Sequence, residues 1–167
     1  MLHPDFDKYD VTVMLDTDMF VVKGVEKNIF DENGVGIFTP RIERNAYARC
    51  LRKYPDRSSP NHQFWGGAIW RLTTPLRQAL RKHINLDVMR VFNANLEDEG
   101  MVHYLATRAN IKRNKSLVLD HKWCYCSYLP NVEKSYMIHI RPKIKQGGPT
   151  RPKIETLAEL KKNGIVE

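Results

Sequence analysis

A largely apolar five-residue run, Val11 to Leu15, leads straight into two carboxylates, Asp16 and Asp18. The run is short and follows the polar stretch FDKYD, so it reads as a buried strand rather than a helix. Residues two apart on a strand point the same way, so Asp16 and Asp18 project together if the strand persists. If it ends at Leu15, they sit on the loop beyond it. Either way they lie at the carboxyl end of a strand, where open α/β sheets bind their ligands. Two neighbouring carboxylates repel, and the usual cure is a divalent cation held through oxygen ligands. The alternative is a solvated turn whose aspartates cap the next segment.

The rest of the chain alternates short elements. DENGVGIFTP, residues 31–40, has turn chemistry at Asn33 and Gly34 and forms a hairpin or a short strand. Ile42, Ala46, Tyr47, Cys50, Leu51 and Tyr54 recur on one face, which predicts a helix over Glu43 to Lys53, broken by YPDRSSPN. QFWGGAIWRL, from Gln63, reads as a strand whose glycine pair lets something approach the backbone closely. Thr74 and Pro75 supply an N-cap and first-turn signature for a helix that turns Leu76, Ala79, Leu80 and His83 or Ile84 inward. A third helix is expected over Asp98 to Ala109, with Met101, Val102, Leu105, Ala106 and Ala109 as its apolar face.

Short strands are expected at Leu117 to Leu119, Trp123 to Ser127 and Ser135 to Ile140. A basic loop broken by glycine and proline follows at 141–153. A terminal helix at 154–164 has lysines in its last turn and stops at Gly164. With no internal repeat and no linker, the expectation is one α/β domain over residues 1–167, a mixed sheet flanked by helices.

Charge narrows the partners. The chain carries a formal charge of +8, which calls for an anionic partner: nucleic acid, an acidic membrane surface or a phosphorylated small molecule. No segment approaches the ~18 uninterrupted apolar residues of a membrane span, and no cationic-then-apolar signal pattern opens the chain, so the expected location is cytoplasmic. Cys50, Cys124 and Cys126 form an odd set without zinc-like spacing and read as free thiols.

Two further groups could carry chemistry. Glu97, Asp98 and Glu99 open the third helix, where acidic residues suit the helix dipole and could equally hold a general base. His139 lies between Ile138 and Ile140 on a strand, as a core or edge histidine or as a metal ligand. Arg141, Lys143 and Lys145 alternate beyond it before Gly147 and Gly148, an arrangement suited to phosphate oxygens or to a solvated basic loop.

Their order is similar to one known class. A strand ending LDTDMF, a segment FWGGAIW, an acidic EDE opening a helix, and a late strand histidine followed by lysines together resemble the GT-A class of metal-dependent, nucleotide-sugar glycosyltransferases, from their DxD motif onward. The resemblance implies the C-terminal part of a GT-A, Rossmann-like fold. It implies Mn²⁺ or Mg²⁺ held by Asp16, Asp18 and His139 on a sugar-nucleotide diphosphate. Gly66 and Gly67 would line the sugar and acceptor site, Asp98 and Glu99 would contact the donor sugar or activate the acceptor, and Lys143 or Lys145 would meet the diphosphate. The implied partners are a nucleotide-sugar donor and a hydroxyl acceptor such as a glycan or glycolipid.

A complete domain of that class has roughly a hundred residues of nucleotide-binding half before its DxD, in line with usual α/β units, whereas Met1 to Asp10 precede the strand here. The expectation is therefore a fragment, a trimmed product, or a subunit that borrows this half from a partner chain. Two other classes compete. A basic nucleic-acid-binding protein or metal-dependent nuclease would use Trp65, Trp70, Trp123 and Tyr125 near basic residues, although the acidic clusters oppose it and make nucleic acid the less favoured partner. An inactive remnant would act as an interaction subunit. Peripheral contact with an acidic membrane surface also fits the charge.

Overall fold

The computed structural model describes residues 1–40, 63–87, 90, 101, 104–106, 108–111, 115–140 and 153–167. The described chain is mixed α and β. Its strands are β1 (Val11–Leu15), β2 (Met19–Val21), β3 (Gly36–Pro40), β4 (Gln63–Thr73), β5 (Tyr125–Cys126) and β6 (Met137–His139); its longer helices are α1 (Thr74–Arg81) and α2 (Lys153–Lys162). They form two three-stranded sheets, ordered β1-β4-β3 and β2-β6-β5. The chain divides into two compact units, Met1–Met14 with Asn33–Leu119 and Leu15–Glu32 with Asp120–Glu167.

In the first unit, β4 is the central strand, with β1 and β3 at its edges. A strand covered on both faces reads as a continuous apolar run, and residues Trp65 to Leu72 are all buried. By contrast β1 is an edge strand, half-buried rather than buried as its sequence suggested, and Leu15 is exposed. Among the described residues it has a strand neighbour on one side only, β4.

The antiparallel pairing of β3 and β4 is offset. Gly36 stands opposite Trp70 and Phe38 opposite Trp65, so two steps on one strand match five on the other. Gly66 and Gly67 fall within this excess, which has the character of a bulge. The Trp70 indole N–H donates to the Gly66 carbonyl at 2.8 Å, and the two tryptophan rings meet with centroids 5.6 Å apart. Around them gather Val35, Leu72, Leu80, Leu105, Ala106 and Ile111.

Gly34 is dictated by a close approach. A Cβ there would lie 2.7 Å from the backbone nitrogen of Leu119. That segment was expected to be a strand over Leu117 to Leu119. Instead a 3-10 turn, Lys115–Leu117, leads into a single parallel bridge between Val118 and Gly36.

Helix α1 begins one residue earlier than its sequence signature suggested. Thr73 is the cap, without a side-chain capping bond, and Thr74 is already helical. The Thr74 hydroxyl is engaged elsewhere, donating to the Tyr9 carbonyl at 2.9 Å and accepting from Arg77 at 2.6 Å. Arg77 is fully buried. It also donates to the carbonyls of Leu72 (2.7 Å), Phe6 (3.0 Å) and Tyr9, and to Thr12 Oγ1 (3.1 Å). One guanidinium therefore ties residues 6–12 to α1. Asp7 completes the network, receiving two hydrogen bonds from Arg81 at 2.8 and 2.9 Å.

The expected third helix is helical at 101, 104–106 and 108, with Leu105 and Ala106 buried as its periodicity required. Its start, and the helix expected over Glu43 to Lys53, lie outside the described residues.

In the second unit, β6 is central: β2 runs antiparallel to it and β5 parallel. The expected strand over Trp123 to Ser127 is shorter than its sequence suggested, because a 3-10 turn at His121–Cys124 takes its first half. Trp123 is thereby buried against Tyr136, with ring centroids 4.9 Å apart. Helix α2 stops as expected at Gly164, whose φ is +66°. The N–H of Gly164 bonds the Lys161 carbonyl and that of Ile165 bonds the Leu160 carbonyl, each at 2.9 Å. These paired bonds satisfy the last carbonyls of the helix, and Gly takes the left-handed position without a Cβ penalty. Leu160 and Val166 then close a core with Val22, Ile138 and Ile140.

Candidate metal centre

The second unit contains the most concentrated chemistry among the described residues. Strand β1 ends at Leu15, and the Asp16 carbonyl accepts the Met19 N–H at 3.2 Å, closing a turn with Thr17 and Asp18 at its centre. The two aspartates therefore converge through a turn rather than through strand alternation. The Asp18 carbonyl accepts the Ile140 N–H at 2.9 Å, and the next residue, Met19, is registered opposite His139. Backbone pairing thus sets the turn against the central strand.

His139 is the residue brought to this turn. Its side chain is 5% exposed, and Nε2 lies 3.1 Å from Asp18 Oδ1 and 3.5 Å from Asp16 Oδ2. One ligand atom from each of Asp16, Asp18 and His139 falls within 4.8 Å of the other two. The donor chemistry, two carboxylate oxygens and one imidazole nitrogen, fits a divalent cation such as Mn²⁺. Asp16 is the most open of the three, with 42% of its side chain exposed, so it forms the solvent side of the cluster.

Two further side chains among the described residues join this cluster. Cys124, at the end of the 3-10 turn before β5, brings Sγ to 3.7 Å from His139 Nδ1. Carboxylates on one ring nitrogen and a thiol on the other fix the plane of the imidazole. Such contacts with the second nitrogen decide which nitrogen is presented to a ligand. From α2, the Lys153 ammonium pairs with Asp18 Oδ2. Partial burial works against ionisation of Asp18, but the hydrogen bond from Lys153 and the neighbouring charges of His139 and Lys153 outweigh it and hold the carboxyl below the usual aspartate range.

The structure brings together Asp16, Asp18 and His139 from the sequence-expected residues. Gly66 and Gly67 belong to the first unit, buried within β4. Asp98, Glu99, Lys143 and Lys145 lie outside the described residues. Sequence reasoning missed Cys124, which stands fifteen residues from His139 and meets it only because β5 pairs with β6. It also missed Lys153, although this residue closes the same basic stretch that supplied Lys143 and Lys145. The signal for a cation near the aspartates was present, but its position was not.

Three of the four aromatic residues on which the nucleic-acid alternative rested are packed inside. Trp65, Trp70 and Trp123 are 1%, 2% and 3% exposed, leaving no ring face for a base, and Tyr125 is half-buried. No described helix is long and apolar enough to cross a membrane. Comparison with protein-family models, curated proteins and solved structures finds no match to this chain.

Proposed function

We propose that the chain carries the metal end of a sugar-nucleotide site, and that its reaction is transfer of a sugar from a nucleotide-diphosphate donor to a hydroxyl acceptor in the manner of GT-A glycosyltransferases. The observation that carries this reading is the convergence of Asp16, Asp18 and His139 from opposite ends of the chain. When bound, a divalent cation supplies positive charge for the departing diphosphate. The chain's own residues hold and orient it: Asp18, kept ionised beside Lys153, and His139, held in plane by Cys124, offer fixed donors, while Asp16 faces solvent. Asp98 or Glu99 would take the acceptor's proton, and Lys143 or Lys145 would meet phosphate oxygens.

Calorimetry with Mn²⁺ and a panel of nucleotide-diphosphate sugars tests this reading. The native protein should release heat with Mn²⁺, and more with a matching donor, while an Asp16→Ala, Asp18→Ala double variant should release neither. Equal heats from the two proteins would sink it.

One observation favours a second reading. Cys124 Sγ lies on Nδ1 of an imidazole whose Nε2 faces Asp18, the order of contacts in a thiol–imidazole–carboxylate relay. In that case Cys124 would be a nucleophile for acyl transfer. At neutral pH, iodoacetamide should then alkylate Cys124 faster than Cys126, the other cysteine among the described residues. Equal rates exclude the relay.

A further inference from the structure

Both oxygens of Asp18 are engaged. Oδ1 faces His139 Nε2 at 3.1 Å, and Oδ2 receives the Lys153 ammonium. Asp18 is the central member of the cluster, since Asp16 is more open and lies farther from the ring. One carboxylate negative charge of the pair is thus already matched by a fixed positive charge from α2. A divalent cation drawing on the same carboxylate must share it with the ammonium or drive the ammonium off. Sharing sets two positive charges close together, whereas release sends the half-exposed lysine into water at small loss, because an exposed ion pair contributes little.

From this competition we infer that Lys153 is the site's resident counter-ion, displaced when a divalent cation binds, and that it sets the cation concentration at which the site fills. The inference rests on the metal reading above and adds to it the residue that tunes affinity. Lys153 does two things in one contact. Without a cation it neutralises Asp18, so the turn closing Asp16 to Met19 is not strained by two unscreened carboxylates. With a cation it leaves, and the chain keeps a mobile ammonium beside a newly filled site. A carboxylate pair without this lysine would bind stray divalent cations at lower concentration.

Titration of the full chain with Mn²⁺ alone, followed by calorimetry or by the paramagnetic resonance of free Mn²⁺, tests the inference. Lys153→Met should bind Mn²⁺ about twofold to fivefold more tightly than the native protein, the range expected when one weak, solvent-facing competitor is removed. Lys153→Arg, which keeps the charge, should stay near the native affinity. Lys161→Met removes the same charge from the far end of α2 and should change affinity less than twofold, roughly the effect expected of a distant, screened charge.

Unchanged or weaker binding in Lys153→Met overturns the inference while leaving the metal site standing. Equal gains in Lys153→Met and Lys161→Met overturn it too, since net charge rather than the Asp18 contact would then be responsible. If no variant and no native protein binds Mn²⁺, the metal reading itself fails and the inference falls with it. A native protein that binds too weakly to measure, beside a Lys153→Met variant that binds, supports it.

Discussion

Replacing Arg77 with methionine should destabilise the chain by about 3–5 kcal/mol, the loss expected when one partner of a buried, hydrogen-bonded charge network is removed. Methionine fills much of the volume but offers no donor. The carbonyls of Phe6, Tyr9 and Leu72, together with the hydroxyls of Thr12 and Thr74, would lose the guanidinium that joins them. Acceptors orphaned in buried and half-buried positions, rather than lost attraction, account for most of the penalty. In a chain of this size each kcal/mol lowers the melting temperature by roughly 2–4 °C, so thermal denaturation should register a drop of about 6–20 °C. Arg81→Met is the comparison. Its side chain is 25% exposed and water can replace part of what it gives Asp7, so its effect should be distinctly smaller. Equal drops for the two variants would show that Arg77 is not the tie between the N-terminal segment and α1.

The same network sets an acid limit. Hydrogen bonds from Arg81 act against partial desolvation and, with Gln78 and the charge of Arg77, lower the Asp7 carboxyl from 3.8 to about 2. A carboxyl lowered in the folded state stabilises the fold above its unfolded value and loses that contribution as pH falls through its folded value. The contribution of Asp7 is therefore complete above pH 3.8 and fades toward pH 2. Asp7→Asn should flatten this part of the stability–pH curve, read by urea melts across the interval.

His139→Gln should weaken Mn²⁺ binding by at least the roughly 10- to 100-fold that loss of an outer contact to a metal ligand typically costs. The effect should also depend on the metal. Imidazole nitrogen suits later transition ions such as Zn²⁺, whereas carboxylate oxygen and amide oxygen suit Mg²⁺ and Mn²⁺. The variant keeps Asp16 and Asp18 and adds an amide oxygen, so its Mn²⁺ affinity should fall less than its Zn²⁺ affinity. Competition titrations of the two ions on one protein give the ratio directly. A parallel loss of both ions, with an unchanged melting curve, would mean that His139 supports the aspartates without acting as a ligand. The side chain is buried in the central strand, so the melting curve is needed to separate a lost ligand from a lost fold.

Much of the local architecture was legible because its causes are local. The apolar run of β4, the proline at the start of α1 and the glycine ending α2 each act within a few residues of chain. Boundaries moved where a distant partner competed. Thr74 carries a capping signature, but its hydroxyl serves Tyr9 and Arg77, so the cap shifted to Thr73. Trp123 reads as a strand residue, yet packing against Tyr136 draws it into a 3-10 turn. At the glycine pair in β4 the Trp70 indole bonds the Gly66 carbonyl, within a register offset that no single-strand pattern contains.

By itself the sequence determined the composition of the site: two aspartates ending a short strand, a late strand histidine, and a basic stretch beyond it. Tertiary structure alone decided the geometry. Strand pairing registers Met19 and Cys126 against His139, which puts carboxylates on one ring nitrogen and a thiol on the other. Helix α2 then brings Lys153, at the end of the same basic run, onto Asp18. Residue types follow from the chemistry a ligand requires, but register has a period of two along a strand, and a slip of one residue would have turned His139 to the opposite face. Only contacts between distant parts of the chain remove that ambiguity.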